Sequence, residues 1–244
     1  VEGVVTAPSQ ALSKALDLLI DPPAEPDVSK GYLDLLGDGS DAPKNAGFIQ
    51  KVWASPVGSR LYDNAQGIGR KLMTAWHEPT EWLNIPPGGL ALDVGSGPGN
   101  VTAALARAAG LDGFAFGVDI SEPMLARAVE AEAGRQVGFL RADAQKLPFR
   151  DDTFDAVTSI AVLQLIPDAE AALAEMARVL RPGGRMAIMV PTATSSRGPV
   201  RLLSKGGARF FSEDELADRF EALGLQRVRS KSMGTMQWVR GQKP

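Results

Sequence analysis

The sequence predicts a doubly wound α/β fold: a seven-stranded, mostly parallel sheet covered by helices on both faces, with an antiparallel last strand and a helical segment ahead of it. Three observations carry this expectation. From residue 83 onward, apolar runs of strand length alternate with stretches of helical periodicity, the pattern of parallel strands joined by right-handed crossovers. One joint, Gly95-Ser96-Gly97-Pro98-Gly99, is a glycine turn between a strand and a helix. The last two strand-length runs, 225–229 and 235–240, are close enough to form a hairpin about 231–234.

Taken in order, residues 1–10 look loose, and then Leu12, Ala15, Leu16 and Leu19 fall on one helical face that Asp-Pro-Pro-Ala-Glu-Pro-Asp at 21–27 brings to an end. Such a stripe is expected to pack against the main domain. Residues 31–58 are rich in Gly, Pro and Asp and read as short helices and loops, and a better helix spans 63–76 with Ile68, Leu72, Ala75 and Trp76 in register. The chain therefore divides into a helical and loop segment, 1–82, and a main domain, 83–244.

In the main domain the strands are expected at 90–94, 114–118, 137–141, 154–159 and 185–190, followed by the two of the hairpin. Helices are expected at 100–109, at 122–133 with Ser121 as N-cap, and at 169–180 with Asp168 as N-cap. Pro182, Gly183 and Gly184 read as the turn that ends the last of these and leads into the fifth strand. Ser212 with Glu215 has the spacing of a capping box for a final helix carrying Leu216, Phe220 and Leu223.

Ligands in open parallel sheets bind beyond the carboxyl ends of the strands, and here those ends carry Asp93, Asp119 and Asp143. Asp93 closes the strand before the glycine turn. Gly95, Gly97 and Gly99 can take positive φ and leave no Cβ between the backbone and a ligand. The helix that follows points its unpaired N–H groups back at the turn. Residue 100 is Asn100, so the dinucleotide fingerprint G-x-G-x-x-G is not completed, and Asp93 puts negative charge where a pyrophosphate would want none. An acid at the end of the second strand, Asp119, is where a doubly wound fold holds a ribose diol. The pocket suits a nucleoside without phosphates.

Five runs in succession, D-V-G-S-G-P-G at 93–99, G-V-D-I-S at 117–121, A-D-A-Q-K-L-P-F at 142–149, F-D-A-V at 154–157 and L-R-P-G-G at 180–184, make the chain resemble the class I S-adenosylmethionine-dependent methyltransferases. The likeness spans about 83–240 and is strongest to the small-molecule branch that includes quinone-biosynthesis C-methyltransferases. It implies a Rossmann-like methyltransferase fold whose final hairpin supplies the antiparallel seventh strand.

The resemblance implies the following roles. Gly95, Ser96, Gly97 and Gly99 would pack against the methionine and ribose portions of S-adenosyl-L-methionine, with Asp93 ordering the turn and favouring the cationic groups. Asp119 would accept both ribose hydroxyls, Ile120 and Met124 would wall the adenine, and Asp143 and the Ala144 N–H would meet its polar edge. Ala161 would line the cofactor side of the cleft, and Tyr62, in Arg60-Leu61-Tyr62-Asp63, is a candidate lid residue. Met124 and Tyr62 each have a plainer alternative as packing residues. Gln164 stands where relatives often carry a histidine or other polar group facing the acceptor. By the same resemblance the 1–82 segment would form a lid over the cleft, and His77, the single histidine, is a candidate base at the end of its 63–76 helix. Trp53, Trp76, Phe210, Phe211 and Trp238 are expected around the cleft mouth, pointing to an apolar or aromatic acceptor, or else seal helices to the sheet.

Composition narrows the classes. A net charge of −3 gives no general attraction to nucleic acid, and the absence of cysteine excludes disulfides, thiolate metal sites and a cysteine nucleophile. No apolar run approaches the roughly 20 residues of a membrane span, and the chain reads as a cytoplasmic enzyme with a small-molecule acceptor and product S-adenosyl-L-homocysteine. C- and O-methylation both stay open, as do a module that binds S-adenosylmethionine without turnover and a nicotinamide-dependent oxidoreductase.

Overall fold

The structure, a computed structural model, describes residues 7–37, 81–192, 209–212, 214–233 and 236–244. Its elements in chain order are α1 (Gln10–Leu18), β1 (Leu33–Asp34), β2 (Leu90–Val94), α2 (Asn100–Ala109), β3 (Phe114–Asp119), α3 (Glu122–Glu132), β4 (Val137–Arg141), β5 (Phe154–Ile160), α4 (Ala169–Val179), β6 (Leu180–Pro191), α5 (Glu215–Ala222), β7 (Gln226–Met233) and β8 (Met236–Gln242). The strands form one sheet in the order β1-β4-β3-β2-β5-β6-β8-β7. Pairs from β1 to β6 are parallel, and β8 pairs antiparallel with both β6 and β7.

Among the described residues the sheet has eight strands, one more than the seven expected. The addition is β1, whose two residues pair in parallel with Leu140 and Arg141 at the β4 edge. Two residues carry no readable periodicity, and pairing with β4 rather than local propensity makes them a strand. A short strand also covers an edge that would otherwise present unpaired backbone groups.

Both faces are covered, as a mostly parallel sheet requires. On one face Ala11, Leu12 and Ala15 of α1, Leu173 and Met176 of α4, and Leu216 and Phe220 of α5 share a core with Leu92, Phe116, Val157 and Ile188. Phe116, Phe149 and Phe154 meet at its centre, the last two edge to face with centroids 4.9 Å apart. On the other face Leu105 and Ala106 of α2 and Leu125 and Ala128 of α3 pack with Ala91, Ala115, Phe139 and Ala187. The apolar stripe of α1 is thus core-facing, and burying side chains such as Leu12 contributes about 1.5–3 kcal/mol each.

Three local expectations are corrected. Pro182, Gly183 and Gly184 do not break the chain between helix and strand, because β6 runs from Leu180 through them to Pro191 with an irregular register against β5. Ser121 stands at the N-cap of α3 but its hydroxyl makes no cap bond; its N–H donates to Asp119 Oδ1 at 2.8 Å. Half of the capping box forms, with the Ser212 N–H donating to Glu215 Oε2 at 3.1 Å, while Asp214 is the N-cap of α5. Asp168 caps α4 as expected, accepting from the Ala171 N–H at 2.9 Å. The terminal strands are longer than expected, since pairing across the hairpin extends runs such as Gln226–Met233 whose polar composition gives little strand signal.

Candidate functional site

The glycine turn begins where β2 ends. The N–H groups of Gly95 and Ser96 donate to the Val118 carbonyl at 2.7 and 3.0 Å, so the end of β3 holds the turn from one side. From the other side Val162 presses on Gly95, where any Cβ would strike its side chain. Gly97 and Gly99 have φ of +51° and +87°. Among the described residues nothing lies within 4 Å of where a Gly97 Cβ would be, so the backbone there faces open space between them. Gly99 is the N-cap of α2, whose first turn carries no acidic side chain.

Two carboxylates flank the turn. Asp119 is half-buried; its Oδ2 accepts from the Gly97 N–H at 2.9 Å and its Oδ1 from the Ser121 N–H at 2.8 Å. Burial raises its carboxyl above the usual range, opposed by those N–H donors. Because each carboxylate oxygen has two lone pairs, both retain capacity for a further donor. Asp93 is buried and accepts from the Thr102 hydroxyl at 2.7 Å. Desolvation pushes its carboxyl from 3.8 up to about 7, the Thr102 bond opposing and the Asp119 charge adding to the rise.

A pH dependence follows. The folded form holds a proton on Asp93 that the unfolded chain has released above pH 3.8, so this group's stabilising contribution is full below that pH and is lost as pH rises through about 7. Urea melts of the wild type are expected to show lower stability at pH 8 than at pH 5, and Asp93→Asn, which keeps an acceptor for Thr102, should flatten that difference. An unchanged slope in the variant would remove Asp93 as its source.

The remaining expected residues are placed as follows. Ile120 is half-buried after Asp119, and Met124 is buried on α3. Asp143 is partly exposed and accepts from the Gln145 N–H at 2.9 Å and from Gln145 Nε2 at 3.0 Å, while Ala144 packs against the core. Ala161 follows β5 with φ +56°, a strained value for a residue with a Cβ, and its carbonyl accepts from Gln164 Nε2 at 2.7 Å. Ser96 Oγ and Gln164 Oε1 are buried polar atoms with no partner among the described residues. The turn, Asp119, Ile120, Asp143 and Ala161 all stand at the carboxyl ends of β2 to β5, so the topology brings them to one end of the sheet. Tyr62 and His77 lie outside the described residues, as do Trp53 and Trp76.

Two expected mouth residues lie elsewhere. Phe211 is fully buried in the core beneath α5, with the Arg209 guanidinium 5.1 Å above its ring. Trp238 lines a groove of ≈ 790 Å³ with Trp82, Arg185 and Arg240 on the sheet face of β6 and β8. Thr102 and Val162 were not among the expected site residues. Thr102 could have been found, since the third residue of a helix that follows such a turn can aim a hydroxyl back at the strand end.

A family model described as a methyltransferase domain matches residues 92–188. The demethylmenaquinone methyltransferase of Bacillus cereus is 35% identical over 201 residues, covering 70% of this chain and 85% of that one. The chain belongs to the S-adenosylmethionine-dependent methyltransferases. Solved structures agree on the fold: magnesium protoporphyrin IX methyltransferase from Synechocystis, with SAM bound, superposes with a TM-score of 0.63 at 20% identity over 84% of this chain and all of that one. A SAM-dependent methyltransferase from Aquifex aeolicus gives 0.58 at 23% identity over 69% of this chain and 89% of that one. S-adenosylmethionine is the cofactor of this methyltransferase. The residues present fit it in kind: among the described residues, bare backbone facing open space at Gly97, a hydroxyl without a partner at Ser96, and acids with spare lone pairs. Among the described residues no helix is long and apolar enough to cross a membrane.

Proposed function

We propose that the methyltransferase binds its cofactor between the Gly95–Gly99 backbone and Asp119, and methylates a small aromatic acceptor of the quinol type. The observation that carries the first half is the 2.9 Å hydrogen bond from the Gly97 N–H to Asp119, which ties the glycine turn and the acid into one frame. The likeness to demethylmenaquinone methyltransferases supports the second half.

In this reading Asp119 accepts the ribose hydroxyls on its free lone pairs, and Ile120 and Met124 wall the adenine, whose polar edge meets Asp143 and the Ala144 N–H. Gly95, Ser96, Gly97 and Gly99 hold the methionine side. Asp93, ionised once a cation lies near it, balances that charge, with Thr102 holding the carboxylate in place. Ala161 lines the cleft after β5. When bound, S-adenosylmethionine supplies a methyl group activated by its positive sulfur. The chain's own task is alignment and exclusion of water, because an in-line displacement is accelerated chiefly by orientation.

The test is incubation of the full chain with trideuteromethyl-labelled cofactor and a chemically reduced, prenylated 1,4-naphthoquinone, followed by mass spectrometry. Gain of one trideuteromethyl group on the ring carbon is the expected result. Unlabelled quinol, with S-adenosylhomocysteine bound normally in calorimetry, would overturn the acceptor and leave the cofactor site standing.

A further inference from the structure

The geometry points to Arg141 as a positioning residue that sets cofactor affinity by clasping the adenosine side of the cleft to the N-terminal segment at Asp34–Gly37; this rests on the cofactor site proposed above. Arg141 ends β4 and stands in register with Asp34 on one side and Asp119 on the other. Its side chain is buried. One amino group donates to Asp34 Oδ2 at 3.1 Å and to the Gly37 carbonyl at 2.9 Å, while the other pairs with Glu122 Oε1 at 3.3 Å. Its Nε reaches the Ile120 carbonyl at 3.5 Å, the longest of these contacts.

The guanidinium thus joins two parts of the chain that have no covalent reason to be near each other. Its partners Ile120 and Glu122 are the residue after Asp119 and the first residue of α3, in whose first turn Met124 also lies. The Ala142 N–H, next along the chain, donates to the Asp119 carbonyl at 3.2 Å, so the ends of β3 and β4 are held together at the same place. On the N-terminal side Asp34 is itself held by the N–H groups of Leu36 and Gly37, each at 3.0 Å. Glu122 is gripped a second time, by Lys30 Nζ at 2.9 Å and the Tyr32 hydroxyl at 3.3 Å. A buried guanidinium with fixed acceptors on both sides keeps its fork in one orientation. Residues 119–124 and 142–144, the two stretches assigned to adenosine, are then pre-positioned before any ligand arrives, which lowers the ordering cost of binding.

Arg141→Met and Arg141→Lys in the full chain would be compared with wild type by calorimetry, using S-adenosylhomocysteine and 5′-methylthioadenosine, alongside thermal melts. Both ligands carry the adenosine, and the second lacks the amino-acid end. Arg141→Met is expected to weaken both by the same factor, about tenfold or more, the scale of one charge-assisted hydrogen bond. Arg141→Lys, which keeps the charge and loses the fork, should recover part of that loss. Asp34→Asn, which touches no residue of the cofactor site, should weaken both ligands too, and by less in the Arg141→Met background than alone. Should Arg141→Met fail to fold, the lysine variant and Asp34→Asn carry the same comparison. Folded variants that bind both ligands within twofold of wild type would overturn the inference, as would a loss confined to S-adenosylhomocysteine. A wild type that binds neither ligand would instead overturn the reading of the site itself.

Discussion

Asp119→Ala is expected to lower affinity for S-adenosylhomocysteine by roughly 10²–10⁴-fold in calorimetry, a loss out of proportion to any change in melting temperature. Two hydrogen bonds to an ionised acceptor, at about 1.5–3 kcal/mol each, set the scale of the loss. The Gly97 N–H also loses its partner, so the turn facing the ligand is less well held. Stability is set by two opposed effects: burial raises the Asp119 carboxyl in the folded chain, so its charge costs something there, while alanine leaves the Gly97 and Ser121 N–H groups without their acceptor. Affinity should therefore fall much further than stability, the mark of a group kept for binding. Asp119→Asn keeps one acceptor oxygen and should fall between wild type and alanine. An alanine variant that binds within threefold of wild type would remove Asp119 from the cofactor site.

Gly99→Ala should do the reverse, with its main effect on folding. A residue with a Cβ at φ +87° is strained by about 1–2 kcal/mol. The new methyl would also lie 2.6 Å from Phe139 Cζ and 3.2 Å from Ala128 Cβ, in a packed core where overpacking costs about 1–3 kcal/mol. The sum, roughly 2–5 kcal/mol, corresponds to a melting temperature lower by roughly 5–15 °C in a chain of this size. Gly97→Ala makes the control. Its φ is also positive, but no described residue lies within 4 Å of the added carbon, so stability should fall by about 1 kcal/mol and the methyl group should tell against S-adenosylhomocysteine instead. If Gly99→Ala melts with wild type, or if Gly97→Ala binds normally, the turn is not divided between a glycine kept for folding and one kept for binding.

The parts of the fold that were legible in the chain are those in which local pattern and tertiary demand coincide. Helix α2 and strand β4 occupy the residues that periodicity assigns to them, because each presents an unbroken apolar pattern between clear stop signals. The glycine turn was legible because three glycines at alternate positions have few other uses. Pro182-Gly183-Gly184 was read as a turn into the fifth strand, since in isolation it is one; in the structure β6 runs through it as an irregularity, and the register against β5 resumes at Arg185. Capping at Ser121 failed for a similar reason. Asp119, two residues earlier, takes the Ser121 N–H, and a helix start needs no side-chain cap when such an acid already orders the turn. The aromatic residues were the least legible: Phe211 is core, and Trp238 lines a groove on the sheet face, because an aromatic side chain at a segment end fits a core and a cleft equally well.

By itself the sequence determined the order of strands and helices, the glycine turn, and the acids that close β2 and β3, because spacing along the chain is enough to place a residue at a strand end. Only the tertiary structure decided that Asp119 holds Gly97, that Thr102 holds Asp93 in a setting dry enough to raise its carboxyl, and that Arg141 binds the N-terminal strand to the same end of the sheet. Each of these joins residues distant in sequence or depends on what surrounds them, and neither hydrogen bonding across strands nor loss of water is written in the spacing of residue types.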